Sequence, residues 1–198
     1  MLDGIEYSTE SGFAEVSISR TGTLVYRSSG AGKGLVTVQL LDPSGNAQAV
    51  LATPGDYFSP TFSPNGNQLA LTSGGDIWVY DLKRTTMTRL TSGGGYTSLL
   101  WTRDGKEIVC RGNRGMLWLH ADRSGQPQPL LQSETLQNPW SFTPDGKRLA
   151  FVESSPKTGA DIWTVPIESD GGGLRAGTPE VFLQTPFHER APVFSPDG

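Results

Sequence analysis

An all-β propeller of four-stranded antiparallel blades is the fold class this sequence predicts, on three observations: a turn motif recurring at roughly forty-residue spacing, short apolar runs at fixed offsets after each turn, and abundant turn-forming residues. The 198 residues hold 25 glycines and 14 prolines, so the chain is punctuated into many short elements.

The turn is clearest at Phe62-Ser63-Pro64-Asn65-Gly66, Trp101-Thr102-Arg103-Asp104-Gly105, Phe142-Thr143-Pro144-Asp145-Gly146 and Phe194-Ser195-Pro196-Asp197-Gly198. Asn-Gly and Asp-Gly adopt the positive φ that tight hairpins demand, and a large apolar residue ends the strand before each. Ile18-Ser19-Arg20-Thr21-Gly22 is a degenerate copy, with Thr21 in the acidic position.

A second strand follows each turn: Leu24-Val25-Tyr26, Leu69-Ala70-Leu71, Ile108-Val109-Cys110 and Leu149-Ala150-Phe151. The third strand is Leu35 to Val38 in the first repeat, then Asp76-Ile77-Trp78-Val79-Tyr80, Met116-Leu117-Trp118-Leu119-His120 and Asp161-Ile162-Trp163-Thr164-Val165. These runs align Trp78, Trp118 and Trp163, set His120 at the place of Tyr80, and leave Thr37 where the first repeat lacks its tryptophan. Fourth strands fall at Ala49 to Leu51, Thr88 to Thr91, Pro129 to Leu131 and Val181 to Gln184. An Ile-Trp-Val run has no polar alternation, so both faces need cover, which neighbouring blades supply and the open side of a sandwich does not.

The expected division is an outer-strand or linker segment at 1–13, blades at 14–53, 54–92, 93–132 and 133–185, and the first strand of a fifth blade at 186–198. Met1 to Ile5 reads as the end of another blade's outer strand.

With Phe-Ser-Pro-Asp-Gly, Leu-Ala-Phe and Asp-Ile-Trp in this order, the repeats resemble the WD-like repeats of TolB-type propellers. Gly22 to Tyr26, Asp76 to Leu82 with Thr88 to Thr91, and Thr185-Pro186-Phe187 look like the propeller carboxy-terminal to bacterial eukaryotic-like Ser/Thr kinases. The resemblance implies a sensor or protein-interaction module, a fragment of a six-bladed ring, in a larger bacterial protein. The kinase signatures themselves are missing from the sequence: it has neither the Gly-rich nucleotide loop nor the His-Arg-Asp motif. The compartment, periplasmic or cytoplasmic, follows the parent protein. Open terminal blades would present apolar faces and self-associate.

Chemistry is not expected of the chain, and neither is a cofactor. The net charge of -4 argues against general affinity for nucleic acid or anionic membrane. Gly30-Ala31-Gly32-Lys33-Gly34 lacks the spacing of a P-loop. His120 and His188 have no ligand partner at metal spacing, and no Gly-x-Ser-x-Gly elbow is present. The propeller of a serine peptidase whose catalytic domain lies elsewhere is the alternative. Asp104, Asp145 and Asp197 read as turn residues and not as cation ligands, and Cys110 as a small buried apolar residue. The second-to-third loops carry Arg27, Lys33, Arg111, Arg114 and Lys157 against the single acid Glu153, so an anionic protein or small-molecule partner is expected there.

Overall fold

The computed structural model describes Ile5 and residues 16–29, 34–169 and 172–197. Every element among the described residues is a strand, and the chain divides into two compact units, Met1–Thr97 and Ser98–Gly198.

The first unit contains two four-stranded antiparallel sheets. One is β1 (Val16–Ile18), β2 (Leu24–Ser29), β3 (Val36–Leu41) and β4 (Ala47–Gly55), and Ile5 adds an isolated bridge to Ser28. The other is β5 (Phe58–Phe62), β6 (Gln68–Ser73), β7 (Asp76–Asp81) and β8 (Thr86–Arg89). Between them Val25, Val38, Phe62, Leu69 and Leu71 form a buried core, with Trp78 and Tyr80 packed on its margin. Each such apolar side chain contributes roughly 1.5–3 kcal/mol by leaving water.

The second unit repeats the plan with β9 (Thr97–Trp101), β10 (Glu107–Gly112), β11 (Gly115–His120) and β12 (Gln128–Gln132), then β13 (Gln137–Phe142), β14 (Arg148–Ser155) and β15 (Gly159–Ser169). In this last sheet two short strands share the outer edge of β15: β16 (Leu174–Ala176) pairs with Ile167–Ser169 and β17 (Glu180–Leu183) with Ile162–Thr164. Val109, Met116 and Trp118 meet Leu149, Phe151, Val165, Ile167 and Leu174 in one buried core.

The recurring turn has a local cause. In each copy a Ser or Thr opens the turn: Thr102 and Thr143 give their hydroxyl hydrogens to Asp104 Oδ1 (2.8 Å) and Asp145 Oδ1 (2.6 Å), and Ser63 does so to Asn65 Oδ1 (2.9 Å). The same hydroxyl accepts the amide of Gln68, Glu107 or Arg148, where the second strand begins. Glycine follows at φ between 70° and 74°, a conformation costly for any other residue. The degenerate copy keeps the device, because the Ser19 hydroxyl meets the Thr21 hydroxyl and accepts the Thr23 amide, one residue earlier than in the other turns.

That missing residue and the strand pairing correct two sequence alignments. Three residues beyond the amide bound by the turn hydroxyl stand Tyr26, Leu71, Cys110 and Phe151, and their cross-strand partners are Gln39, Trp78, Leu117 and Trp163. Gln39, not Thr37, therefore occupies the tryptophan position of the first repeat, and the Tyr26 hydroxyl hydrogen-bonds to its Oε1. Trp118 pairs with Val109, one position on, so its ring projects from the opposite face to that used by Trp78 and Trp163 in their own sheets. The three tryptophans do not recur in register. By the same shift His120, opposite Glu107, matches Asp81 opposite Gln68, and Leu119 stands where Tyr80 was aligned.

Candidate functional site

The hairpins between second and third strands were expected to gather positive charge. The structure divides those residues. Arg27 and Arg111 are strand residues at one equivalent position, each immediately after the residue that faces the tryptophan position. Each reaches the innermost strand of the following sheet of its own unit, four residues before that strand's terminal Phe62 or Phe142. The Arg27 guanidinium lies 4.4 Å over the Phe58 ring, and Arg111 Nη1 donates to Asn138 Oδ1 at 3.0 Å. Both arginines therefore tie one blade to the next, and Arg27 is buried. Only Arg114 and Lys157 sit exposed on hairpin turns, and Lys33 lies outside the described residues.

The backbone of the inner strands is distorted beside these contacts. Ser59 and Ser98, three residues before Phe62 and Trp101, have φ of 50° and 53°, and Ala191 repeats this at 54° before Phe194. Pro139 takes this place in the fourth sheet, where its ring forbids positive φ, and the pairing with β14 slips between Pro139 and Ser141, as that of β5 with β6 does between Phe58 and Thr61. The Ser98 hydroxyl donates to the same Asn138 oxygen that Arg111 holds, at 3.0 Å.

Beside the hairpin between Gly112 and Gly115 lies an open groove of about 500 Å³ lined by Arg114, Leu117, Pro129, Gln132, Ser133 and Glu134. Arg114 and Glu134 are exposed there and put opposite charges on its wall. Ser133 links the groove to Glu153, whose Oε1 accepts from the Ser133 hydroxyl at 3.2 Å and from the Thr135 hydroxyl. Glu153 is half-buried and committed to these hydroxyls, so it does not neutralise the exposed hairpin cations.

The other candidate groups serve the scaffold. The Asp145 carboxyl is held below the ordinary carboxylate range by the Thr143 hydroxyl and the Lys147 amide, and Asp197 by the Ser195 hydroxyl. For Asp104, burial alone would raise the value, but the Lys106 amide and Thr102 hydroxyl outweigh it. Burial pushes the Cys110 thiol up to about 12, which keeps it protonated and unreactive at neutral pH. His188 Nδ1 accepts the Ala160 amide at 3.2 Å, with the His188 ring against Gly159. His120 stands edge-on to Trp118, with ring centroids 5.1 Å apart and Nδ1 3.6 Å from Glu107 Oε1. A shallow cleft of about 610 Å³ opens beside that pair, with Gln126 and Gln128 on its wall. Among the described residues no three His, Cys, Asp or Glu side chains come together as a metal group, and no helix is long and apolar enough to cross a membrane.

No family model matches the chain. A curated relative, the Tol-Pal system protein TolB of Francisella tularensis subsp. mediasiatica (strain FSC147), is 29% identical over 163 residues, which is 76% of this chain and 37% of the relative. The chain thus spans little more than a third of the length of the curated relatives it matches. The crystal structure of TolB from Acinetobacter baumannii superposes with a TM-score of 0.68 at 20% identity, over 90% of this chain and 45% of the other. A puromycin hydrolase S511A mutant gives 0.69 at 15% identity, over 88% of this chain and 32% of that one. The β-propeller domain of the trilobed protease from Pyrococcus furiosus gives 0.60 at 14%, over 86% and 56%. The solved structures establish the β-propeller fold for the four antiparallel sheets, and the curated relatives show that the sequence is similar to TolB over part of its length.

Proposed function

We propose that the chain is a non-catalytic protein-interaction module of a larger bacterial protein, and that it meets its partner at the hairpin end of the blades. The observation that carries the reading is the division of labour among its polar groups. The turn carboxylates, His188, Arg27 and Arg111 are spent on turns and on blade-to-blade ties, while Arg114 and Lys157 project from hairpins, exposed and without a side-chain partner among the described residues. Exposed cations on a protein of net charge -4 favour a partner that is acidic at the point of contact. The Tol-Pal name of the relatives is consistent with work inside a protein assembly. On this reading the parent is a periplasmic TolB-type scaffold or a sensor kinase of the kind that the Asp76 to Leu82 motif resembles.

The test is a pull-down from the source lysate by the purified chain, at low and high salt, repeated with Arg114 and Lys157 both changed to Glu. Capture that weakens with salt and is lost in the double variant supports the reading. Capture indifferent to both changes removes the hairpin end from it. A second reading, the propeller of a peptidase, is favoured by the superposition on the puromycin hydrolase. A nucleophile-elbow hydrolase domain beside these repeats in the parent gene would select it.

A further inference from the structure

In the fourth sheet, three oxygen-bearing side chains stand in one row. Gln137 of β13 pairs with Glu153 of β14, and Glu153 pairs with Asp161 of β15, so all three project from the same face. Gln137 is 4% and Asp161 1% exposed. Asp161 Oδ2 is satisfied, accepting from the Thr158 hydroxyl at 2.7 Å and from Gln184 Nε2 at 2.8 Å, and Glu153 Oε1 takes the Ser133 and Thr135 hydroxyls. Asp161 Oδ1 and Gln137 Oε1 are buried without a hydrogen-bond partner among the described residues. Buried acceptors of this kind are rare in folded proteins and call for an explanation.

The second sheet supplies it by contrast. The residue at the Asp161 position there is Asp76, and its carboxylate is completed by the Arg89 guanidinium, the Thr91 hydroxyl and the Gly94 amide. Arg89 is the cross-strand partner of Trp78, whereas the partner of Trp163 is Val181. The fourth sheet has kept the buried carboxylate, lost its cation, and placed Glu153 where the second sheet has Ser73. Neither Glu153 nor Asp161 takes part in an ion pair among the described residues. Two carboxylates facing each other across a strand pair repel, and a buried charge without a counterion is costly.

We propose that the Gln137, Glu153 and Asp161 row binds a hard divalent cation of the calcium type. Asp161 Oδ1 and Gln137 Oε1 are direct ligands, Glu153 contributes the second negative charge, and water completes the shell. Calcium takes six to eight oxygen ligands and accepts carboxylate and amide oxygens together. A single buried water is the competing occupant, for which the unpartnered Trp163 Nε1 would serve as donor.

The test uses the whole chain, stripped with chelator. Its melting is followed with CaCl2 or MgCl2, and Tb3+ emission is excited through tryptophan. The expected result is a melting temperature raised by CaCl2 and Tb3+ emission that Ca2+ displaces. Apparent Tb3+ affinity should fall at least tenfold in Asp161→Asn and stay unchanged in Asp145→Asn, whose carboxylate belongs to a turn. Should Asp161→Asn fail to fold, Gln137→Leu takes its place, and the parent's own response to CaCl2 stands without any variant. A parent indifferent to CaCl2, or Tb3+ affinity equal in the parent and the row variants, overturns the proposal in favour of the water.

Discussion

Replacing Trp118 by Ala tests the packing of the second unit directly. The side chain is 7% exposed and lies in the core with Val109, Met116, Leu149, Phe151, Val165, Ile167 and Leu174. Gly173 is pressed so closely on its ring that a Cβ there would lie 2.1 Å from Cη2. Burying about 200 Å² of tryptophan at about 25 cal/mol per Å² gives about 5 kcal/mol as an upper bound. Large-to-small core substitutions cost about 3–5 kcal/mol, in agreement. At roughly 2–4 °C per kcal/mol for a chain of this size, the melting temperature should fall by about 6–20 °C. Urea denaturation followed by far-UV dichroism should show a lower midpoint. Trp78→Ala should cost less, since Trp78 is only half-buried at the margin of its core. If Trp118→Ala melts within a degree of the parent, or if the Trp78 variant is the more damaged of the two, the strand register that sends Trp118 into that core is wrong.

Gly115→Ala should unfold the third sheet or prevent its expression in soluble form, because Gly115 has φ of 99° and a Cβ would lie 2.1 Å from the Leu131 carbonyl oxygen; solubility and dichroism check it. Thr143→Val should destabilise by about 1–3 kcal/mol in a urea melt, since it leaves the Arg148 amide and the Asp145 carboxylate without their hydroxyl. The lowered carboxyls of Asp145 and Asp104 contribute stability that is fully present above their ordinary value of 3.8 and is lost as pH falls through the lower folded values, so an acid titration should show the melting temperature dropping from about pH 5 downward. Cys110, with its thiol at about 12, should resist a thiol reagent at pH 8 in the folded protein and react at once in denaturant.

The turns were legible because their chemistry is local. Ser63 to Gly66 and Thr143 to Gly146 contain, within a few residues, the hydroxyl, the acceptor and the glycine that close each hairpin. Blade faces were less so, since facing depends on the parity of the count between turn and tryptophan. Trp118 follows its turn glycine by one residue more than Trp78 does, across a β-hairpin loop of the same length, and the Leu-Trp-Leu likeness to Ile-Trp-Val hid that residue. The signal was present in the spacing, and the slip moved the ring from one side of the sheet to the other.

Charge near a hairpin was a weaker guide than charge on its turn. Arg27 and Arg111 were read as loop cations because the apolar runs end at Tyr26 and Cys110, yet β2 and β10 continue to Ser29 and Gly112 and turn both arginines toward the next inner strand. A guanidinium can end a strand in a core, because its stem packs as hydrocarbon while its head finds a ring or an amide oxygen, as Phe58 and Asn138 provide. The row of Gln137, Glu153 and Asp161 was invisible for the converse reason. Its members come from three strands and meet only through pairing, and no spacing along the chain marks them. The repeat itself gives the way to find such places. Once the second and fourth sheets are put in register by their turns, the exchange of Arg89 for Val181 beneath a retained aspartate becomes a visible imbalance of charge. In a protein built of repeats, function is then sought where one copy keeps half of an interaction that another copy completes.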